Sequence, residues 1–245
     1  ITDKMMYVKD IIHNCALSHN LTATFMPKPL YDEPGNGMHF HIQLRKDGKN
    51  IFYHKGGYAD LSDDALCFIG GILKHGRSLA AFTNPSTNSY KRLLPGFEAP
   101  VKLFFGLANR SAAIRIPKYA TSEDAKRIEF RTGDGTCNYY LAMSALLMAG
   151  LDGIRNSIFP DEDNCYGPYD DNIFDWPEEQ QARLSSIPAS LEEALEALKK
   201  DNDYLTAGGV LNRELIDSWI EEKMKEVVAV RNRPHPFEMN LYYSL

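Results

Sequence analysis

The run MHFHIQL, residues 38–44, alternates apolar and polar side chains. A period of two marks a half-buried strand, because successive side chains point to opposite faces. Met38, Phe40, Ile42 and Leu44 therefore share one face, and His39, His41 and Gln43 share the other. The apolar face needs a core to meet, and the histidine face needs a chemical reason.

Around this strand, periodicity and capping residues outline the remaining elements. Residues 3–19 are expected as a helix with Met5, Val8, Ile11 and Ile12 in one buried stripe and Thr2 or Asp3 as N-cap. Residues 22–29 read as strand-like, and a turn at Asp47-Gly48 with residues 51–53 returning makes a hairpin. Ser62 caps a helix running to about residue 79. The stretch TNPSTNSYKRLLPGFEAP is loop-rich, with Pro95-Gly96 as a turn signal. Short strands follow at 112–116 and 127–131, then a helix over 139–154 that is apolar nearly all round and should be buried. Residues 159–186 read as an extended surface excursion. Ser190 and Glu193 form a capping box for a helix through 200, and 215–228 is expected to be the final, amphipathic helix.

With 245 residues, 44% of them hydrophobic, the chain can bury a sizeable core. No apolar run approaches the roughly 20 residues of a membrane-spanning helix. The chain opens at Ile1 with neither an initiator methionine nor a basic-then-apolar leader, and is read as a processed or truncated piece of something longer. Cys15, Cys67, Cys137 and Cys165 show no short metal-ligand spacing, which points to reduced thiols in a cytoplasmic protein.

A net charge of −6 argues against a general nucleic-acid binder. Residues 84–131 run against that average, with nine basic side chains to four acidic. Five of the nine are arginines: Arg92, Arg110, Arg115, Arg127 and Arg131. Their planar forks suit phosphate and carboxylate oxygens, so a small anionic substrate fits this window.

Three constellations could carry chemistry. His39 and His41 lie on one strand face and can converge on a metal or a phosphate, although two surface histidines are the commoner reading. In RIEFR, Arg127, Glu129 and Arg131 share a face; a carboxylate between two arginines reads as a salt-bridge ladder more readily than as a metal ligand. In LPGFEAP, Glu98 projects from a loop stiffened by proline on both sides. No phosphate-cradling glycine motif, nucleophile elbow or kinase motif set is present.

The segments KPLYDEPGNGMHFH, TNPSTNSYKRLLPGFEAP, NRSAAIRIP, RIEFR, YYLAMSALLMAGLDGIRN and PHPFEMNLYYSL together resemble type I glutamine synthetases, in order and in spacing, over essentially the whole chain. The resemblance implies an α+β fold, residues 1–245 being the C-terminal portion of the catalytic domain, with an antiparallel, barrel-like sheet backed by helices. It implies ATP-dependent joining of ammonia to glutamate through γ-glutamyl phosphate, with Mg²⁺ or Mn²⁺ as cofactor and a homo-oligomeric, dodecameric ring for the full-length protein. Partners would be glutamate, ammonia and ATP, with no nucleic acid and no membrane. By the same resemblance His39 and Glu129 ligate a metal, and His41 contacts the transferring phosphate. Arg92, Arg110, Arg131 and Gly35 hold substrate, Arg115 and Arg127 serve the nucleotide and phosphate, and Glu98 is the flap carboxylate that acts with Arg110 and Arg115 in catalysis. Cations placed where charge develops, and a lid that excludes water, are what acyl-phosphate chemistry requires.

Several departures qualify the resemblance. The metal carboxylates that the family carries upstream, and its N-terminal small domain, are absent from this sequence, so the isolated chain is expected to lack ligase activity. Pro34 stands where many members have asparagine and Gln43 where a serine is common; RTGDGTCNYY lacks the usual prolines. Phe174 occupies the position of a tyrosine that some bacterial members adenylylate, and it offers no hydroxyl. Two alternatives stay open: a non-catalytic oligomerisation scaffold, and a related ligase that uses an amine in place of ammonia.

Overall fold

Four strands make one open sheet in the computed structural model, which describes residues 1–94, 99–161 and 163–245. In chain order the elements are α1 (Thr2–Ser18), β1 (Phe40–Ile42), β2 (Arg45–Lys46), β3 (Lys49–Asn50), α2 (Asp63–Lys74), α3 (Gly76–Thr83) and α4 (Ser89–Arg92). They continue with β4 (Lys102–Leu107), β5 (Ala112–Ile116), β6 (Ile128–Phe130), α5 (Tyr139–Arg155), α6 (Glu178–Arg183) and α7 (Leu191–Lys200). Three more helices close the chain: α8 (Asp203–Thr206), α9 (Arg213–Arg231) and α10 (Pro236–Tyr242).

The sheet order is β1-β6-β5-β4. β1 and β5 flank β6 antiparallel, whereas β4 lies parallel to β5 with a register shift between Lys102 and Phe105. The mixed helix and sheet content matches the expected class; of the expected antiparallel, barrel-like sheet the described residues show an open sheet in which β4 runs parallel to its neighbour. The outer edge of β4 is occupied by irregular chain: Leu103 N–H donates to Ser185 O and Phe105 N–H to Tyr166 O. Strand β1 has no strand neighbour on its outer side among the described residues.

The core lies between the sheet and helices α2, α3, α5, α7 and α9, and is built from Phe52, Phe68, Ile69, Phe82, Phe105, Ile114, Phe130 and Leu195 among others. Asn138 starts α5 by accepting from the N–H groups of Tyr140 and Leu141. Glycines let α2 and α5 approach until backbone meets backbone. A Cβ on Gly153 would collide with the Cys67 carbonyl and the Gly71 backbone, and one on Gly71 with the Ala149 carbonyl. Gly153→Ala is therefore expected to lower stability by about 2 kcal/mol through overpacking. A urea titration monitored by circular dichroism checks this, and an unchanged midpoint counts against the close crossing.

Local pattern and structure part company in several places. Residues 22–29 form no strand: the backbone of Lys28 bonds instead to the Asn88 side-chain amide, which accepts from its N–H at 2.8 Å and donates to its carbonyl at 2.9 Å. The helix expected from Ser62 to residue 79 breaks at His75, giving α2 and α3. The hairpin is present but shorter, with β3 ending at Asn50. The stripe of α1 is not buried: Val8, Ile11 and Ile12 remain exposed, and only Met5 packs against the core. Helix α5 keeps Tyr140 and Leu147 exposed, so burial is one-sided. β4 and α10 are additional elements, α10 opening with Pro236 and with His235 accepting from Phe237 N–H. Inside the surface excursion, Ile173 and Leu184 bury against Phe104 and Ala112. Among the described residues no helix is long and apolar enough to cross a membrane.

Candidate active site

Register places the polar groups in a row across three strands, with His41 opposite Glu129 and Glu129 opposite Arg115. Phe40, Ile128 and Phe130 on the alternate positions anchor the row by filling the core behind it. Glu129 is the hub. It is 1% exposed, with Oε1 2.9 Å from His39 Nδ1 and 3.0 Å from Arg131 Nη1, and with Oε2 2.5 Å from Arg115 Nη2. The salt-bridge ladder read from RIEFR thus exists, built through Arg131 and the neighbouring strand's Arg115. Arg127 turns away to His41.

The two histidines are neutral for the same main reason and poised differently. Burial, reinforced by Arg131, lowers the pKa of His39 to about 4 despite the opposing pull of Glu129. Burial also lowers that of His41, with Arg127 and Arg115 acting in the same direction. The hydrogen-bond pattern assigns the tautomers. His39 Nδ1 faces a carboxylate and so carries the proton, leaving a lone pair on Nε2. His41 Nδ1 accepts from Arg127 Nε at 3.3 Å and so leaves its N–H on Nε2. One ring thus offers an electron pair and the other a hydrogen-bond donor.

Among the described residues, Arg115 Nε and Arg131 Nε are buried without a hydrogen-bond partner, and Glu129 Oε2 is held by its ion pair with Arg115 rather than by an aligned hydrogen bond. Buried polar atoms in native proteins are ordinarily paired, so two unpartnered guanidinium nitrogens beside one carboxylate single out this cluster as the candidate site. For a divalent cation the fit is partial. His39 and Glu129 present one nitrogen and one carboxylate, and no group of three or more His, Cys, Asp or Glu converges among the described residues. These two side chains suit a cation that takes its remaining ligands from outside them.

Beyond Arg131, Arg92 is 6% exposed and donates to the carbonyls of Thr132 at 2.9 Å, Gly133 at 3.1 Å and Arg131 at 3.4 Å. Burial lowers its pKa, while the nearby Asp134 carboxylate opposes that shift. Gly35 and Gly37 lie directly against it, where a Cβ on Gly35 would come within 2.9 Å of Arg92 Cγ. Arg92 therefore joins the Gly35 loop to the chain leaving β6. Arg110 sits on the β4–β5 connection, exposed and close enough to Arg131 to depress its pKa, behind the larger effect of burial. The described structure thus brings together His39, His41, Arg115, Arg127, Glu129 and Arg131, with Arg92 and Gly35 at one end. Glu98 lies outside the described residues.

Sequence reasoning passed over two supports of this site. Asn109 donates to the carbonyls of Tyr169 and Asp171 at 2.9 and 2.8 Å and accepts from Ser111, fixing the turn that carries Arg110. Asp134, fully buried, accepts from Asn84 at 3.1 Å and from Thr136 N–H at 2.9 Å, shaping the loop after Arg131. An Asx-type side chain two residues before its own turn N–H is the local signal for both.

Comparisons with known proteins bear on the family. The family model described as glutamine synthetase, catalytic domain, matches residues 1–242. The glutamine synthetase of Frankia alni is 50% identical over 244 residues, which is 99% of this chain and 50% of that protein. A cryo-EM structure of Plasmodium falciparum glutamine synthetase superposes with a TM-score of 0.85 at 36% identity, over 99% of this chain and 53% of that one. A structure titled as a GmaS/ADP complex gives 0.85 at 31% identity, over 100% of this chain and 54% of that one. A buried carboxylate bridging two arginines and a histidine is the polar centre of this sheet. The chain belongs to the glutamine synthetase family. It spans about half the length of the curated relatives it matches.

Proposed function

We propose that the protein carrying this chain joins ammonia to the γ-carboxylate of glutamate at the expense of ATP, by way of γ-glutamyl phosphate, in the cytoplasm. The observation that carries the reading is the pair of unpartnered guanidinium Nε atoms of Arg115 and Arg131 beside Glu129, flanked by two neutral histidines of opposite polarity. His39 Nε2 and Glu129 would hold Mg²⁺ or Mn²⁺ together with ligands outside this chain's described residues. Once bound, the cation supplies charge neutralisation at the phosphate oxygens.

The chain's own side chains do the rest. Arg115 and Arg131 present N–H groups to the oxygens of the transferring phosphoryl group and of the acyl phosphate, where negative charge builds. His41 donates its Nε2 proton to a phosphate oxygen, and Arg127 keeps that tautomer in place while facing the nucleotide. Arg110 joins Arg131 on the glutamate side. Arg92 shapes the glutamate pocket with Gly35, its guanidinium already engaged by the carbonyls that follow Arg131. Glu98 acts as the closing carboxylate that excludes water and takes a proton from ammonium.

The reading extends to assembly. A dodecameric ring of identical subunits gives a use to the exposed apolar side chains Val8 and Ile11 of α1 and Phe237, Met239 and Leu241 of α10. Further strands from the remainder of the relatives' length would extend the sheet beyond β1 toward an antiparallel, barrel-like form. Phe174, exposed in the short turn Ile173–Asp175, offers no hydroxyl for adenylylation.

The test is Mn²⁺- or Mg²⁺-dependent formation of ADP and glutamine from ATP, glutamate and ammonium, with a small primary amine assayed beside ammonium. Full-length protein is expected to turn over, to lose that turnover with Glu98→Ala, and to prefer ammonium. The 245-residue chain alone is expected to be inactive. Full-length protein without turnover, or a preference for the amine, overturns the assignment or its acceptor.

A further inference from the structure

Asn50 ends β3 with its side chain buried, 4% exposed, against the turn Glu123–Ala125 that leads into β6. Its amide nitrogen donates to Glu123 O and to Lys126 O, both at 2.7 Å, and its oxygen accepts from Phe52 N–H at 3.1 Å. A buried amide is costly unless its polar atoms are engaged, and both of these are. Gln43, which follows β1, brings a second amide to the same turn. In the orientation that satisfies all its neighbours, its nitrogen donates to Asp124 O and Lys126 O, both at 3.1 Å, and its oxygen accepts from Arg45 Nε at 3.3 Å. Two side-chain amides thus hold three carbonyls of the chain that enters β6.

The carbonyl left between these anchors is the one that orients Arg127. Ala125 O accepts from Arg127 Nη1 at 2.9 Å, and Nε of the same guanidinium donates to His41 Nδ1 at 3.3 Å. The guanidinium is a rigid plane, so fixing Nη1 limits where Nε can point. Its third contact, from Nη2 to the Tyr119 hydroxyl at 3.1 Å, is to a side chain 67% exposed, where water competes for the same atoms. The firm hold therefore comes from the turn, and the turn is held by Asn50 and Gln43. From there the chain of contacts runs through Ala125 O to Arg127, and from Arg127 to the ring nitrogen whose engagement leaves the His41 N–H on Nε2.

We infer that Asn50, assisted by Gln43, is a positioning residue: it fixes the carbonyl that aims Arg127 at His41, and thereby the donor that His41 presents to a phosphate oxygen. The inference rests on the ATP reading above and adds to it two residues placed behind the side chains that meet the nucleotide. A donor already in place needs no reorganisation when charge develops on the phosphate, whereas a loose one has to be ordered first. Gln43, a glutamine on the histidine face, thus acts on the site through the turn it braces.

The experiment uses the full-length protein with Asn50→Ala, Gln43→Ala and Arg127→Ala, and with each of the first two combined with Arg127→Ala. Asn50→Ala is expected to lower kcat/KM for ATP about tenfold, the scale of one or two modest hydrogen bonds, and to leave the KM for glutamate within about twofold of the parent. Gln43→Ala, at a half-buried position, is expected to lower kcat/KM for ATP about threefold. In the Arg127→Ala background either change is expected to add less than about twofold, because the group being positioned is gone. An unchanged kcat/KM for ATP in Asn50→Ala overturns the proposal. So do losses that multiply in the double variant, or a KM for glutamate that rises about tenfold, because either makes Asn50 a support of the fold that acts apart from Arg127. If Asn50→Ala does not fold, Gln43→Ala and its combination with Arg127→Ala decide by the same criteria. A parent protein that turns over no ATP, or an Arg127→Ala variant as active as the parent, fails the nucleotide reading itself, and the proposal falls with it.

Discussion

Glu129→Gln in the full-length protein is expected to cut glutamine formation by at least about 100-fold, the scale of losing one preorganised electrostatic contact or metal-orienting group. The substitution is nearly isosteric, so shape is kept while the charge is removed. Arg115 and Arg131 then face each other across a neutral amide, and the His39 N–H loses its anionic acceptor. The carboxylate is almost wholly shielded from water, so solvent offers little compensation, and breaking such a buried pair costs about 3 kcal/mol. Steady-state kinetics and a thermal melt of the same preparation read both consequences. Activity within tenfold of the parent would show that Glu129 serves only to bind strands together.

His75→Ala is expected to produce a comparable loss of stability, about 3 kcal/mol, far from the site. His75 is 4% exposed at the break between α2 and α3. Nδ1 lies 2.9 Å from Asp201, at the end of α7, and Nε2 lies 3.0 Å from Asp152 on α5. Its ring stacks on Tyr204 at 4.0 Å, and Ser78 donates to the same Asp201 at 2.8 Å. One imidazole therefore ties the α2–α3 break to α5, α7 and α8, and truncating it leaves two carboxylates that had been positioned to face it. A double-mutant cycle with Asp152→Asn in urea denaturation is expected to show coupling of at least about 0.5 kcal/mol, as for residues in direct contact. Additive losses would mean that the stacking on Tyr204, rather than the hydrogen bonds to the carboxylates, is what the histidine supplies.

The same residue shows where sequence reading stops. The pattern from Ser62 to Leu79 is continuous in hydrophobic period, and that continuity outweighs the one local stop signal, Gly76 after Lys74 and His75. The break answers to Asp152 and Asp201, which lie 77 and 126 positions away along the chain. Residues 22–29 carry the strand pattern but form no strand, and the Lys28 backbone bonds to Asn88, a partner that period-two reasoning has no means to see. The stripe on α1 was legible as a pattern and not as a contact, because a hydrophobic period states which face wants burial and not whether a partner is there. β4 escaped because an apolar run flanked by loop signals fits strand and helix alike. The histidine face and RIEFR were readable because alternation fixes a face without reference to anything distant. What could not be read was that Arg115, from another strand, would complete the carboxylate's coordination and displace Arg127 from it.

That displacement has a consequence for how the surface encodes chemistry. His39 and His41 are the same residue on the same strand and the same face, one pleat apart. Their difference is dictated from the next strand, where Glu129 accepts a hydrogen bond from one ring and Arg127 donates one to the other. A carboxylate and a guanidinium two positions apart thus act as a template, and the adjacent strand displays its complement as a lone-pair nitrogen on one ring and an N–H donor on the other. Identical side chains acquire distinct functions through what they copy, so the pairing of β1 with β6 carries chemical information as well as structural register.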